Sequence, residues 1–277
     1  MESTKHCSEE QGLLRRRSHK VDTLVVSRQD GIVTVVLNRP EIKNAINPTM
    51  FDELHSTLSE VSKNDDDRVL IITGAGDAFC SGADLSGDRS GRERHHLERL
   101  RTIGDVALRL HRLAKPTIAK VNGVAAGAGL NLALGCDLIV SSDQARFSAI
   151  FARRGLSLDF GGSWLLPRLI GLHKAKEIAL FADILSAEEA ADFGIVNRVV
   201  PASELDAVVN EWATRLAAGP PLALSMTKTM LNNAHMVSME QALEDEARAQ
   251  AVNLTSEDAI EALKAFRDKR DPTFKGR

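Results

Sequence analysis

Apolar positions change period along this chain: β-branched runs come first, then strands alternating with helices, then helices alone. Residues 22–27 and 32–37 are β-branched runs on either side of Asp30-Gly31, and that dipeptide between two such runs predicts a hairpin. Beyond Pro48, Phe51, Leu54, Leu58 and Val61 recur at intervals of three and four, which is one face of a helix that opens on proline. Strands are predicted at 69–73, 117–121 and 137–141, with a polar helix from about Arg92 to Leu113. Strands alternating with helices predict an α/β core with largely parallel pairing. From Ser186 onward the pattern reads as purely helical. Ser186-Ala187-Glu188-Glu189 and Ser238-Met239-Glu240-Gln241 have capping-box spacing, and Leu205, Val208, Val209, Trp212 and Leu216 form one apolar stripe. The helices after Gly219-Pro220-Pro221 are expected to form a separate lobe or to pack against a neighbouring subunit.

Two of the apolar strands run into very small residues. The stretch Val121-Asn122-Gly123-Val124-Ala125-Ala126-Gly127-Ala128-Gly129-Leu130-Asn131-Leu132-Ala133-Leu134-Gly135-Cys136-Asp137 reads as the end of a buried strand, a small-residue turn and an apolar helix start. Small residues let another group lie close against the backbone, and the first N–H groups of a helix have no intrahelical partner. Aligned with the helix dipole, those donors suit a ligand oxygen that carries or develops negative charge. Gly74-Ala75-Gly76-Asp77-Ala78-Phe79-Cys80-Ser81-Gly82-Ala83-Asp84-Leu85 is a second turn of this kind, so two backbone N–H groups are expected to converge on one oxygen. A dinucleotide fold is rejected: Gly127-Ala128-Gly129 lacks the third glycine, at Leu132, and there is no Gly-Lys-Ser/Thr phosphate loop.

Composition narrows the class without naming it. The 277 residues suit one large domain or two small ones, and 43% apolar with 26% charged residues is ordinary for a soluble globular protein. A formal charge of -3 gives no pull towards nucleic acid or acidic membranes, and no apolar run approaches the roughly 18 residues of a spanning helix. Cys7, Cys80 and Cys136 offer no metal-ligand spacing and fit a reducing, cytoplasmic setting. Cys80 reads as a small buried residue before it reads as a reactive thiol. Residues 1–20 crowd Glu9, Glu10, Arg15, Arg16, Arg17 and Lys20 without the apolar core of a signal peptide, and are expected to be a flexible leader.

Motifs along the chain then point to a family. Leu37-Asn38-Arg39-Pro40 is followed by Asn44-Ala45-Ile46-Asn47, Phe79-Cys80-Ser81-Gly82-Ala83-Asp84-Leu85 and the 121–137 run. Next come Asp159-Phe160-Gly161-Gly162-Ser163 with Leu166-Pro167-Arg168-Leu169, then Ala190-Ala191-Asp192-Phe193-Gly194-Ile195-Val196 and Ala265-Phe266-Arg267-Asp268-Lys269-Arg270. In this order and spacing, over about residues 21–277, the chain resembles the crotonase (enoyl-CoA hydratase/isomerase) family. The resemblance implies an α/β fold with a crotonase-like β-β-α superhelical core over 21–215, and a C-terminal helical trimerisation region over 216–277. It also implies a homotrimer or dimer of trimers, and acyl-CoA thioester substrates with coenzyme A as part of the substrate and no separate cofactor or metal. By the same resemblance the thioester oxygen lies between the N–H groups of Ala83 and Ala128. The family usually has glycine where Ala128 stands, and alanine fits there if its φ is negative at a helix start. Gly127, Asn131, Phe151 and Gly161 are expected to line the pocket. Coenzyme A is expected near Ala45, Gly82, Ala83 and Leu85, its phosphates near Lys43, with Phe266 and Lys269 reaching the ligand of an adjacent subunit.

The departure from the family pattern decides the chemistry. Hydratases of the family place two glutamates over the double bond, and the matching positions here hold Asn131 and Phe151. Neither is a general base near neutral pH, and losing such help typically removes about 10²–10⁴-fold in rate. Asp159 matches the aspartate of family isomerases, and its context is most similar to the 1,2-epoxyphenylacetyl-CoA isomerase branch. One carboxylate is enough to move a double bond, so Asp159 is the expected proton shuttle, with Phe151 drying the site and raising its proton affinity. Asp159 also reads as a helix cap before Gly161, Asn131 as a polar residue of the pocket wall, and Asp84 as a loop contact. His95, His96 and His111 read as surface residues of a charged helix, and Arg89, Arg92, Arg94, Arg99 and Arg101 as a solvated face. Hydration by other groups, as in fatty-acid or aromatic-acid breakdown, and non-catalytic acyl-CoA binding stand as alternatives.

Overall fold

A computed structural model describes residues 17–20, 22–86 and 95–277. Strands β1 (Arg17–Lys20), β2 (Leu24–Gln29), β3 (Ile32–Leu37), β4 (Val69–Gly74), β6 (Thr117–Val121), β8 (Leu138–Ser142) and β11 (Arg198–Val200) form one sheet in the order β1-β2-β3-β4-β6-β8-β11. The hairpin closes as expected: Gln29 pairs with Ile32, and Asp30 and Gly31 take φ of 51° and 78°. From β3 to β11 every pairing is parallel. Residues 1–16 of the expected leader lie outside the described residues, and its last four residues are strand β1, paired antiparallel with β2.

A second, smaller sheet changes the picture of the small-residue turns. Strands β5 (Ala78–Cys80), β7 (Val124–Ala126), β9 (Arg146–Ser148) and β10 (Leu185–Ser186) stand in the order β10-β9-β7-β5. Each of β4, β6 and β8 therefore hands the chain to a short strand of the second sheet, and after β5 and β7 a helix follows. These short strands are poor in β-branched residues, so propensity and alternation do not announce them. They exist because the long neighbours bring them into register, with Val124 to Ala126 facing Arg146 to Ser148.

Helix α1 (Pro48–Lys63) buries Met50, Phe51, Leu54, Leu58 and Val61, and the Asn47 side chain accepts from Met50 N at its start. The polar helix is α2 (His96–His111), and the predicted start at Arg92 lies outside the described residues, as do Arg89 and Arg94. Helices α3 (Ala128–Leu134), α4 (Gly162–Ile170), α5 (Leu172–Phe181) and α6 (Ala187–Asp192) follow. Ser186 and Glu189 form the full reciprocal capping box at α6, at 3.1 and 2.7 Å. Leu70 and Ile72 of β4 face the main core, while Val69 and Ile71 face outward under α7 (Leu205–Ala217) and its Leu205, Val208 and Val209.

The expectation of helix alone after Ser186 fails at β11. Three residues long with Arg198 exposed, that strand carries no period of its own, and its pairing with β8 makes it a strand. Helix α8 (Pro221–Asn233) lies against the core: Lys228 Nζ stands 2.7 Å from Asp137 Oδ2, and Asn232 Nδ2 donates to the His111 carbonyl. Helices α9 (Met239–Leu254) and α10 (Glu257–Asp268) pack on each other and leave Met239, Leu243, Leu254, Ile260, Leu263 and Phe266 exposed. Among the described residues no helix is long and apolar enough to cross a membrane.

Candidate active site

The first donor turn is fixed by a single bridge. Ile46 N donates to Gly82 O at 2.8 Å and Asp84 N donates to Ile46 O at 2.9 Å, which is the pattern of a parallel pair at Ile46 and Ala83. In that pattern the flanking residues 82 and 84 make the bonds, and Ala83 N has no acceptor among the described residues. The second turn follows β7. Gly127 takes φ 54° and ψ -124°, a conformation that requires glycine, and α3 begins at the next residue. Ala128 N likewise has no acceptor among the described residues, and Ala128 is absent from the residues with positive φ, which meets the condition for alanine there.

Close packing joins the two turns. A Cβ on Gly82 would stand 3.7 Å from Ala128 N, and one on Gly129 would stand 2.2 Å from Cys80 O. The first turn of α3 therefore sits directly on β5, with no room for a side chain between them. Burial pushes the Cys80 thiol up to about 12, so it is a packed residue and not a nucleophile near neutral pH.

The facing wall runs from Phe151 to Gly162. Phe151 is buried, and its Cζ is 3.8 Å from where a Gly127 Cβ would be. Phe160 and Gly161 take successive left-handed conformations, φ 46° and 85°. For a bulky residue such a backbone costs about 1–3 kcal/mol, and Phe160 is held to it by burial and by its ring, 5.8 Å from that of Phe51. Asp159 directly precedes this kink. Its carboxylate accepts no hydrogen bond among the described residues, Oδ1 is shielded from solvent, and burial pushes its pKa up to about 6.

Asp159 does not cap α4. Gly161 is the N-cap residue and no side chain bonds there, so Asp159 lies two residues ahead of the capping position. Its carbonyl instead accepts from Gly162 N at 2.9 Å and from Asn131 Nδ2 at 2.8 Å. Asn131 is fully buried behind this segment, not on an open pocket wall, because its place in α3 puts it under the 159–162 turn. Gly161 and Phe160 also border a cavity of about 720 Å³ with Leu108, His111, Trp164 and Met236. Sequence reading missed Phe160, Trp164 and Met236 there; the apolar residue before a Gly-Gly pair was the available signal for the first.

Of the residues expected near coenzyme A, the structure brings five together. The bridge at Ile46 and Ala83 lays 43–46 alongside 81–85, and Ser81 N donates to Lys43 O at 2.9 Å. This juxtaposes Lys43, Ala45, Gly82, Ala83 and the half-exposed Leu85. Phe266 and Lys269 stand exposed at the end of α10, whose main packing partner is α9. Asp84 is held below the usual carboxylate range by Ser86 and by Arg39 Nη2 at 3.0 Å, so it serves its own loop. His95 caps α2 by accepting from Leu97 N, and His111 packs edge-on against Trp164, with burial lowering its pKa. No group of metal-ligating side chains occurs among the described residues.

Comparison with known proteins identifies the family. The enoyl-CoA hydratase/isomerase family pattern matches residues 27–277. A 1,2-epoxyphenylacetyl-CoA isomerase of Escherichia coli K12 is 38% identical over 90% of this chain and 97% of that protein. A short-chain-enoyl-CoA hydratase of Clostridium acetobutylicum is 32% identical over 91% and 97% respectively. Among solved structures, an enoyl-CoA hydratase from Bacillus anthracis superposes with a TM-score of 0.88 at 31% identity, covering 92% of this chain and all (100%) of that one.

Proposed function

The chain belongs to the enoyl-CoA hydratase/isomerase family, and from that premise we propose that it moves a carbon–carbon double bond along an acyl-CoA thioester, with Asp159 as the single proton shuttle. In this reading the ionised carboxylate takes a C2 proton from a 3-enoyl thioester. The N–H groups of Ala83 and Ala128 hold the dienolate oxygen, each worth roughly 3–4 kcal/mol in the transition state. The protonated Asp159 then returns its proton at C4, giving the 2-enoyl thioester with no net gain or loss of protons.

The observation that carries the reading is the isolation of Asp159. It is a half-buried carboxylate without a hydrogen-bond partner among the described residues, and its pKa is raised to about 6 by burial alone. A base that must take and return a proton works best with a pKa near the operating pH. Asn131 and Phe151 stand where the resemblance places the two glutamates of a hydratase, and neither supplies a second base. Coenzyme A lies, in the same reading, along 43–46 and 81–85, with Lys43 near its phosphates. The exposed apolar side chains of α9 and α10 support assembly of 216–277 into a trimer or dimer of trimers, in which Phe266 and Lys269 reach a neighbouring subunit's ligand. The solution mass tests that assembly.

Single-turnover kinetics with 3-hexenoyl-CoA and 2-hexenoyl-CoA, on the wild type and on Asp159→Asn, test the chemistry. Fast 3-to-2 conversion that is lost in the variant is the expected result. Water addition that survives the substitution would make the protein a hydratase working through other groups. Tight acyl-CoA binding with no turnover in either protein would make it a binder.

A further inference from the structure

We infer that Asn131 is a positioning residue for Asp159, holding the carboxylate's backbone in place by donating its side-chain amide to the Asp159 carbonyl. The inference rests on Asp159 being the proton shuttle. Asn131 lies on α3, three residues beyond Ala128, so the helix that offers one backbone donor also carries the amide that reaches the opposite wall. Its side chain is fully buried, and Nδ2 stands 2.8 Å from Asp159 O.

Three features converge on this bond. Among the described residues the Asp159 carbonyl has one other donor, Gly162 N at 2.9 Å, so the amide supplies half of those hydrogen bonds. Gly162 has no room for a side chain because the amide occupies it: a Cβ there would meet Nδ2 at 2.5 Å and Oδ1 at 2.6 Å. The following residue, Phe160, is left-handed and strained, a conformation that persists only where its surroundings over-determine it. Asn131 is one of those determinants. An apolar side chain of similar size would leave the Asp159 carbonyl with one donor and the strained turn free to relax, carrying the carboxylate towards solvent.

Since no charged group contributes to the raised pKa of Asp159, any swing into water returns it towards an ordinary carboxylate value near 4. The pH profile therefore reports the position of the carboxylate, which a purely structural role of Asn131 would not move. The experiment measures kcat, KM and the acidic limb of kcat/KM for 3-hexenoyl-CoA on wild type, Asn131→Leu and Gly162→Ala. Gly162→Ala displaces the amide from the other side and keeps the test alive if Asn131→Leu fails to fold.

The expected result is a fall in kcat of roughly 10–100-fold, since misplacement of a reacting group by about 1 Å is enough for that. KM should stay nearly unchanged, and the acidic limb should move down from its wild-type position. Unchanged kcat and an unmoved limb in a folded variant would overturn the inference. So would a rise in KM with kcat intact, which would make Asn131 part of the acyl pocket. Full activity in Asp159→Asn would instead remove the shuttle assignment itself, an outcome visible separately from either Asn131 result.

Discussion

In the proposed reading the donor wall, Gly82–Ala83 and Gly127–Ala128, acts through main-chain N–H groups, whereas the wall from Phe151 to Gly162 acts through one side chain. The first is fixed by packing so close that Gly129 has 2.2 Å for a Cβ, and it does not depend on which small residue carries the donor. The second is held by a strained turn and a buried amide, and its chemistry changes with each residue that occupies it. The proposal therefore separates binding of a thioester oxygen from choice of reaction. On that proposal the same donors would serve hydration or isomerisation, and the side chains of the second wall would decide which.

The sharpest way to separate the two walls is to damage one at a time. Asp159→Asn should lower isomerisation by about 10²–10⁴-fold, measured by single turnover, while the affinity for hexanoyl-CoA stays within a few-fold. An equal loss of both would mean that the walls are not independent. Gly129→Ala should instead damage the donor wall and lower turnover and affinity together, because α3 must lift off β5 to make room. Overpacking of that kind costs about 1–3 kcal/mol, read by denaturant unfolding, and acyl-CoA affinity should fall with it.

The walls also differed in how far the sequence revealed them. Both donor turns were legible, because glycine and alanine crowd after apolar strands and the physics of a free helix N-terminus is local. The strands β5 and β7 inside those turns were not legible, since three-residue strands of small residues depend on partners elsewhere in the chain. On the facing wall Asp159 was legible as a candidate, but not its relation to Asn131: the bond spans 28 positions and uses a backbone carbonyl. The capping role suggested for Asp159 was a local inference that tertiary structure overrode, with Gly161 as the N-cap residue. Strand β11 was missed for the same reason, as its three residues become a strand only beside β8.

A smaller effect belongs to the facing wall alone. With the Asp159 pKa at about 6, kcat/KM should rise with pH through that value and level off above it, as the base form becomes populated. Stability should run the other way. The folded state binds the Asp159 proton more tightly than the unfolded chain does, so ionisation weakens the fold as pH climbs from about 4 through about 6. Asp159→Asn should therefore melt at a higher temperature than wild type at pH 8, and the gap should close as pH falls towards about 4. Thermal unfolding over that range checks it; a variant less stable than wild type at pH 8 would mean that the carboxylate is stabilised by a contact the fold does not display.

Ala128→Gly should have the least effect of all, and it probes the donor wall's indifference to side chains most directly. Ala128 opens α3 without a positive φ, so its N–H direction is set by the helix and by Gly127 rather than by its own methyl group. Glycine would cost at most about 1 kcal/mol of helix stability, and turnover should stay within about threefold. A tenfold change in kcat with the affinity for hexanoyl-CoA intact would show instead that the methyl group bears on the oxyanion. The donor wall would then carry side-chain information as well, and the difference between the two walls would be one of degree.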